Sequence, residues 1–158
     1  MHKESLRTKE GECKIRKLKI YLAGAMSGLT YEEYTTWRII LASRLKSINE
    51  SLRSNIDLDI VDPTRYFNFK EKRHESELEA MKFDLHHVKS SDLIIVNFNK
   101  PVSQGTTAEL AIAYDHDIPI IGLNKDGFTL HPWDENFCDR IFDDMTEMTN
   151  YIQDFYLT

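Results

Sequence analysis

The chain has 158 residues, 41% hydrophobic and 29% charged, with a formal net charge of −6. That length suits one domain with a core of its own, and the composition reads as globular rather than disordered. The acidic surplus argues against long nucleic acid as a partner, because binding it needs a basic surface. No apolar run approaches the roughly 20 residues needed to span a bilayer. The polar, basic stretch from Met1 to Lys17 lacks the apolar centre of a secretory signal and reads as a flexible arm, ahead of a single domain over 18–158. Cys13 and Cys138 have unrelated surroundings and suggest neither a disulfide framework nor a zinc site, so a reducing cytoplasm is the expected location.

Residues 18–23 (Leu-Lys-Ile-Tyr-Leu-Ala) read as a first strand running into a loop from Gly24 to Thr30. Thr30 and Glu33 have capping-box spacing and start a helix. Trp37, Ile40, Leu41, Leu45 and Ile48 give it a 3.6-residue apolar face. Leu58, Ile60 and Val61 make a short second strand, ended by Asp62-Pro63 because proline lacks the ladder donor. A polar and aromatic loop over 62–73 leads to a second helix at about 75–90, with Leu78, Met81, Leu85 and Val88 on one stripe. Leu93 to Phe98 is a third strand whose continuous apolar run fits burial on both faces. After a loop from Pro101 to Gln104, a third helix runs from Gly105 to about His116. Ile118 to Leu123 is a fourth strand, and Asp134 to Tyr156 reads as one or two closing helices. This alternation predicts an α/β domain, a three-layer sandwich on a parallel sheet of at least four strands. Ligands in such sheets bind beyond the carboxyl ends of the strands, which directs attention to the loops after Ala23, Val61 and Phe98.

The first of these loops, Gly24-Ala25-Met26-Ser27-Gly28, is neither a dinucleotide fingerprint nor a P-loop. Its small residues suit either close approach of a ligand to the backbone or a tight strand-to-helix turn. The segment Ser103-Gln104-Gly105-Thr106-Thr107-Ala108-Glu109-Leu110 follows the third strand. Gly105 permits close approach, and Glu109 falls near the first turn of the helix, where the dipole favours an ionised carboxylate. Such a carboxylate can attack an anomeric carbon and form a covalent glycosyl intermediate. Thr106 and Glu109 also have capping-box spacing, and a purely structural role is the reading of Glu109 that the local sequence favours. Asp84 lies at the edge of the second helix's apolar stripe. It is either a carboxylate that handles a proton on a departing group or a boundary residue paired with a lysine. Asp92 precedes the third strand, at the wrong end for the site, and reads as a turn residue. His74, His86, His87, His116 and His131 lack zinc-ligand spacing. Tyr66, Phe67, Phe69 and Trp133 either line a pocket for a flat ring or serve packing.

Together these residues resemble a known family. Ile20-Tyr21-Leu22-Ala23-Gly24, then Asp84 eight residues before Asp92, then Gly105-x-x-x-Glu109-Leu110-Ala111-x-Ala113, are similar to the nucleoside 2-deoxyribosyltransferases and their nucleotide N-hydrolase relatives. The resemblance runs from about residue 18 to 123. It implies a flavodoxin-like fold and transfer of a 2-deoxyribosyl group between bases, or to water, without metal or organic cofactor. Its partners would be a nucleoside or nucleotide and a free base, in a homodimer or larger homo-oligomer. By position, Glu109 matches the nucleophile, Tyr21 a tyrosine that orients that carboxylate, and Asp84 an aspartate that assists protonation of the base. Gly24, Ala25, Met26, Ser103 and Gly105 fall on the substrate-binding loops. One departure stands out. Transferases carry an aspartate six residues before the nucleophile, where it binds the sugar; here that position is Ser103, as in the N-hydrolase branch. A neutral hydroxyl tolerates a 5′-phosphate that a carboxylate would repel. In the weakly matching C-terminal region, Asn136 and Tyr156 are candidates to complete a neighbouring subunit's site.

Overall fold

The computed structural model describes residues 14–66 and 74–158. Five parallel strands form one sheet: β1 (Arg16–Gly24), β2 (Ile56–Val61), β3 (Leu93–Asn97), β4 (Ile120–Leu123) and β5 (Arg140–Phe142). The order across the sheet is β2-β1-β3-β4-β5. Strand order therefore reverses direction between β1 and β3, which places the ligand-binding crevice of such sheets at their carboxyl ends. The connecting helices are α1 (Tyr31–Leu52), α2 (Glu77–Lys89), α3 (Gln104–Asp115), α4 (Pro132–Phe137) and α5 (Met145–Tyr156).

Both faces of the sheet are covered. Leu18, Ile20 and Leu22 of β1 point to one side, into a core shared with Leu41 and Leu45 of α1 and Ile152 of α5. Tyr21 and Ala23 alternate to the other side and join Val88 of α2 with Leu110 and Ala113 of α3. This strand periodicity of two decides which side chains face which helices. The central strands are fully buried from Ile20 to Ala23 in β1 and from Leu93 to Val96 in β3, whereas edge strand β2 alternates, with Asp57 and Asp59 exposed. Thr30 and Glu33 form a complete capping box on α1. Asp92 exchanges hydrogen bonds with the Lys19 backbone, as a turn residue at the amino end of β3 does.

Several boundaries differ from the sequence reading. β1 begins at Arg16 rather than 18, because Arg16 and Lys17 pair with Ile56 and Asp57 of β2. β4 begins at Ile120; Ile118 instead closes the end of α3 by donating to Ala113 O. The segment read as closing helices contains β5, whose three residues are too few to show a strand period. The stripe on α2 is exposed at Leu78 and Met81, and only Val88 is fully buried. Ile40 of α1 is likewise exposed, while Tyr34 and Arg38 take inward positions.

Candidate active site

Glu109 sits in the second turn of α3, not the first. The helix starts at Gln104 because Ser103 is its N-cap, accepting from Thr106 N at 3.4 Å. Thr106 is therefore the third helical residue and does not cap the helix. Its hydroxyl donates to Ser103 Oγ at 3.0 Å. Glu109 is thus released from any capping role and lies beyond the strongest part of the helix-end field. The residue is half-buried, but its carboxyl end is sunk, and among the described residues Oε2 has no hydrogen-bond partner. The fully buried Tyr21 hydroxyl is likewise without a hydrogen-bond partner among the described residues. The two side chains nevertheless interact closely enough for the Tyr21 hydroxyl to favour the ionised form of Glu109.

The Glu109 pKa is raised from 4.5 to about 7, chiefly by burial; the Tyr21 hydroxyl and Arg38 oppose the rise, and the Asp84 charge adds to it. Asp84, half-buried on α2, is raised to about 6, again by burial, with His74 and Arg38 opposing. Tyr21 is raised well above its ordinary value by burial and then by the Glu109 and Asp84 charges. Three segments remote in sequence therefore meet as one electrostatic cluster. Two carboxyl groups that titrate near neutrality at the carboxyl end of a sheet have the properties of an acid–base site.

A fourth member, Arg38, was not singled out in the sequence. It is fully buried. Its guanidinium donates to Leu22 O at 3.2 Å, to Gly24 O at 3.0 Å, and to Tyr34 O. Its Nε lies 3.9 Å from Asp62 Oδ1. That oxygen also accepts from Thr64 N at 2.9 Å and Thr64 Oγ1 at 2.5 Å. The signal was present: positions 34, 37, 38, 41 and 45 share one helix face, and an arginine stands in the middle of it.

The loop after β1 is held by neighbours. Ala25 N donates to Asn99 Oδ1 at 3.1 Å, and Asn99 Nδ2 to Ala25 O at 3.4 Å. Lys100 Nζ donates to Ser27 O at 2.9 Å. Gly28 has φ +78°, where a side chain would be strained. Gly24 is required for packing, since a Cβ there would stand 2.9 Å from Trp37 Cζ2 and 3.2 Å from the Arg38 guanidinium. Gly105 is the opposite case: among the described residues no atom lies within 4 Å of a Cβ placed there, which leaves its face open to an incoming molecule. Ala25, Lys100, Ser103 and Thr106 line one narrow crevice with Asn99 and Asp134. Ser103 Oγ accepts twice from Thr106, which leaves its own proton for a ligand. Met26 is half-buried, and its carbonyl accepts from Leu29 N in the turn.

Other candidates lie elsewhere. Tyr156 sits at the amino end of the sheet, where its carbonyl accepts from Arg16. Asn136 donates to Pro132 O within α4. His74 pairs with Glu79 at 3.3 Å. His74, Phe83, His87 and Tyr66 form a ring cluster beside Asp84. Trp133 is exposed. Cys138 is pushed up to about 12 by burial and is inert as a thiol. Phe67, Phe69 and Cys13 lie outside the described residues. Among the described residues, no group of three or more His, Cys, Asp or Glu is arranged to hold a metal ion, and no helix is long and apolar enough to cross a membrane.

No family model matches the chain, and no curated protein does. Solved structures do. A conserved protein from Enterococcus faecalis V583 superimposes with TM-score 0.70 at 18% identity, over 88% of this chain and 99% of its own. A 2-deoxyribosyltransferase from the psychrotolerant bacterium Bacillus psychrosaccharolyticus gives 0.65 at 19%, over 84% and 91%. The CMP N-glycosidase BcmB of Clostridium botulinum gives 0.54 at 18%, over 85% and 97%. At such identities the likeness is one of fold, and the chain has the flavodoxin-like α/β fold of a 2-deoxyribosyltransferase, as its motifs implied.

Proposed function

We propose that the protein cleaves the N-glycosidic bond of a 2′-deoxynucleoside and transfers the deoxyribosyl group to another base. The observation that carries this reading is the sunken Glu109 carboxyl, interacting with the buried Tyr21 hydroxyl and accompanied by a second raised carboxyl, Asp84. Ionised Glu109 attacks C1′ as the C1′–N bond breaks, and the bonding pair leaves on the base nitrogen. Protonated Asp84 supplies the proton that neutralises the departing base. The glycosyl ester on Glu109 is then attacked by the nitrogen of an incoming base, which gives its proton back to Asp84 and restores the Glu109 carboxylate. Tyr21 directs its hydroxyl at the Glu109 carboxylate and keeps it available for attack. The fold shared with a 2-deoxyribosyltransferase supports the reading.

This mechanism requires Glu109 ionised and Asp84 protonated at once. With Glu109 near 7 and Asp84 near 6, the rate should follow a bell peaking between those values. A pH–rate profile that stays flat from pH 5 to 9 would contradict it.

A second reading is hydrolysis of a nucleoside 5′-monophosphate, with water in place of the acceptor base. The free Ser103 proton beside Lys100, at the N-terminus of α3, favours it, because that arrangement suits a phosphate. The fold shared with a CMP N-glycosidase is in keeping with this reading as well. Product analysis decides between the two, using deoxynucleosides and their monophosphates, each with and without a free acceptor base. Exchanged nucleoside selects transfer, and base released only from the monophosphate selects hydrolysis. Intact substrate in every arm would overturn both. The same reading expects a homo-oligomer, which sedimentation measures.

A further inference from the structure

We infer that Arg38 is a positioning residue of the site: its buried guanidinium fixes where the β1 loop departs and places a cation under the strand that carries Tyr21. This rests on the proposed role of Glu109. Arg38 touches neither substrate nor reacting atoms, so it acts through its neighbours.

Three separate observations converge on it. Arg38 is a fully buried cation, and a buried charge is costly unless it is hydrogen-bonded and paired. Two of its carbonyl contacts, Leu22 and Gly24, are at the carboxyl end of β1, the strand that carries Tyr21. Those residues bracket the point where the strand becomes the loop Gly24-Ala25, so the guanidinium fork fixes where that loop departs. Gly24 is the residue that lets the fork approach, since a Cβ there would lie 3.2 Å from it. Finally, Arg38 acts on every ionisable member of the cluster, favouring the charged forms of Tyr21, Asp84 and Glu109 alike. Removing Arg38 alone would leave the buried Asp62 carboxylate without its cation and the Leu22 and Gly24 carbonyls without this donor, so the guanidinium and its counter-ion act as one unit.

The charged surroundings of Glu109 are drawn from several elements. Tyr21 comes from β1, Asp84 from α2 and Arg38 from α1. His74 acts on Asp84, and Asp62, just after β2, partly neutralises Arg38. Asp62 is the counter-ion of the Arg38 guanidinium, 3.9 Å from its Nε. Removing the cation and removing its counter-ion should move Glu109 in opposite directions. A part that serves only packing would not show that reversal.

The test uses the full chain in four forms: wild type, Arg38→Met, Arg38→Lys and Asp62→Asn. The Glu109 carboxyl is followed by carbon-13 NMR titration, identified by its loss in Glu109→Gln. In parallel, kcat/KM is measured against pH. Arg38→Met should move the Glu109 titration upward and lower kcat/KM about tenfold relative to wild type at pH 6, with that ratio approaching one by pH 9 as both forms fall on the alkaline limb. Asp62→Asn should move the titration downward, and Arg38→Lys should hold it near wild type while raising KM through the loosened loop. If Arg38→Met does not fold, the Asp62→Asn and Arg38→Lys arms still decide. A Glu109 titration unchanged in Asp62→Asn, or shifted in the same direction as in Arg38→Met, overturns the inference. A shifting carboxyl in an enzyme that turns over no nucleoside would instead overturn the proposed reaction and leave the electrostatic role of Arg38 standing.

Discussion

The chain carries the pattern Thr-x-x-Glu at the start of two helices, and the two instances do opposite things. At α1, Thr30 accepts from Glu33 N at 3.2 Å, and Glu33 accepts in return from Thr30 N at 2.7 Å. The glutamate is spent on the backbone and lies exposed. At α3 the same spacing joins Thr106 to Glu109, but Ser103 has already taken the cap three residues earlier. One turn of displacement sends the second glutamate inward, where it meets Tyr21 instead of orphan amides. A local pattern specifies what a glutamate can do; the residue that starts the helix decides what it does.

The sharpest way to break this comparison is to neutralise each glutamate. Glu109→Gln should reduce turnover by on the order of 10⁴-fold, because the amide cannot form the glycosyl ester. Glu33→Gln should leave turnover unchanged, and equal losses in the two variants would abolish the distinction. Stability should move the other way. Glu109 holds its proton to about 7 when folded but releases it near 4.5 when unfolded. Between those values the unfolded state binds fewer protons, so stability falls as pH rises through the window. Glu109→Gln escapes that penalty and should be more stable than wild type by up to about 3 kcal/mol above pH 7, with little difference below pH 4.5. Denaturant melts at pH 4 and pH 8 measure the difference.

The caps themselves should give smaller effects. Ser103→Ala removes the true cap of α3 and should cost about 1 kcal/mol. If the substrate carries a 5′-phosphate, its KM should also rise about tenfold through the lost hydrogen bond. A change in stability with KM untouched would restrict Ser103 to capping. Smallest of all, Glu33→Ala should lower stability by about 1 kcal/mol or less, and a chemical melt detects it.

The sequence made the sheet legible because β3 and β4, and β1 from Ile20 to Ala23, are buried on both faces and so read as apolar runs. The motif residues Tyr21, Asp84 and Glu109 were legible through their order and spacing. Arg38 was hidden because a pattern search counts hydrophobes on a helix face, and a cation among them reads as an interruption. β5 was hidden by its brevity, and Asp62 by its proline, which explained the residue as the end of a strand. The start of α3 at Gln104 lies one residue from the Gly105 that the sequence suggests, but the cap is Ser103 rather than the Thr106 of the Thr106–Glu109 spacing. Only hydrogen-bond geometry separates the two.

The position of β1 has a consequence for how the chain is made. Tyr21 lies beside Val61 on one side and Ile94 on the other. During synthesis its first neighbour, β2, emerges early, but the second arrives only after some seventy further residues. Until β3 leaves the ribosome, β1 presents an open edge of unpaired amides and carbonyls beside the aspartates of β2, which discourage strand addition on that far side only. Closure of the long β1–β3 contact is an entropically slow step for a nascent domain. It is also the step that brings Tyr21 to the segment carrying Glu109, so the site and the completed sheet come into being together.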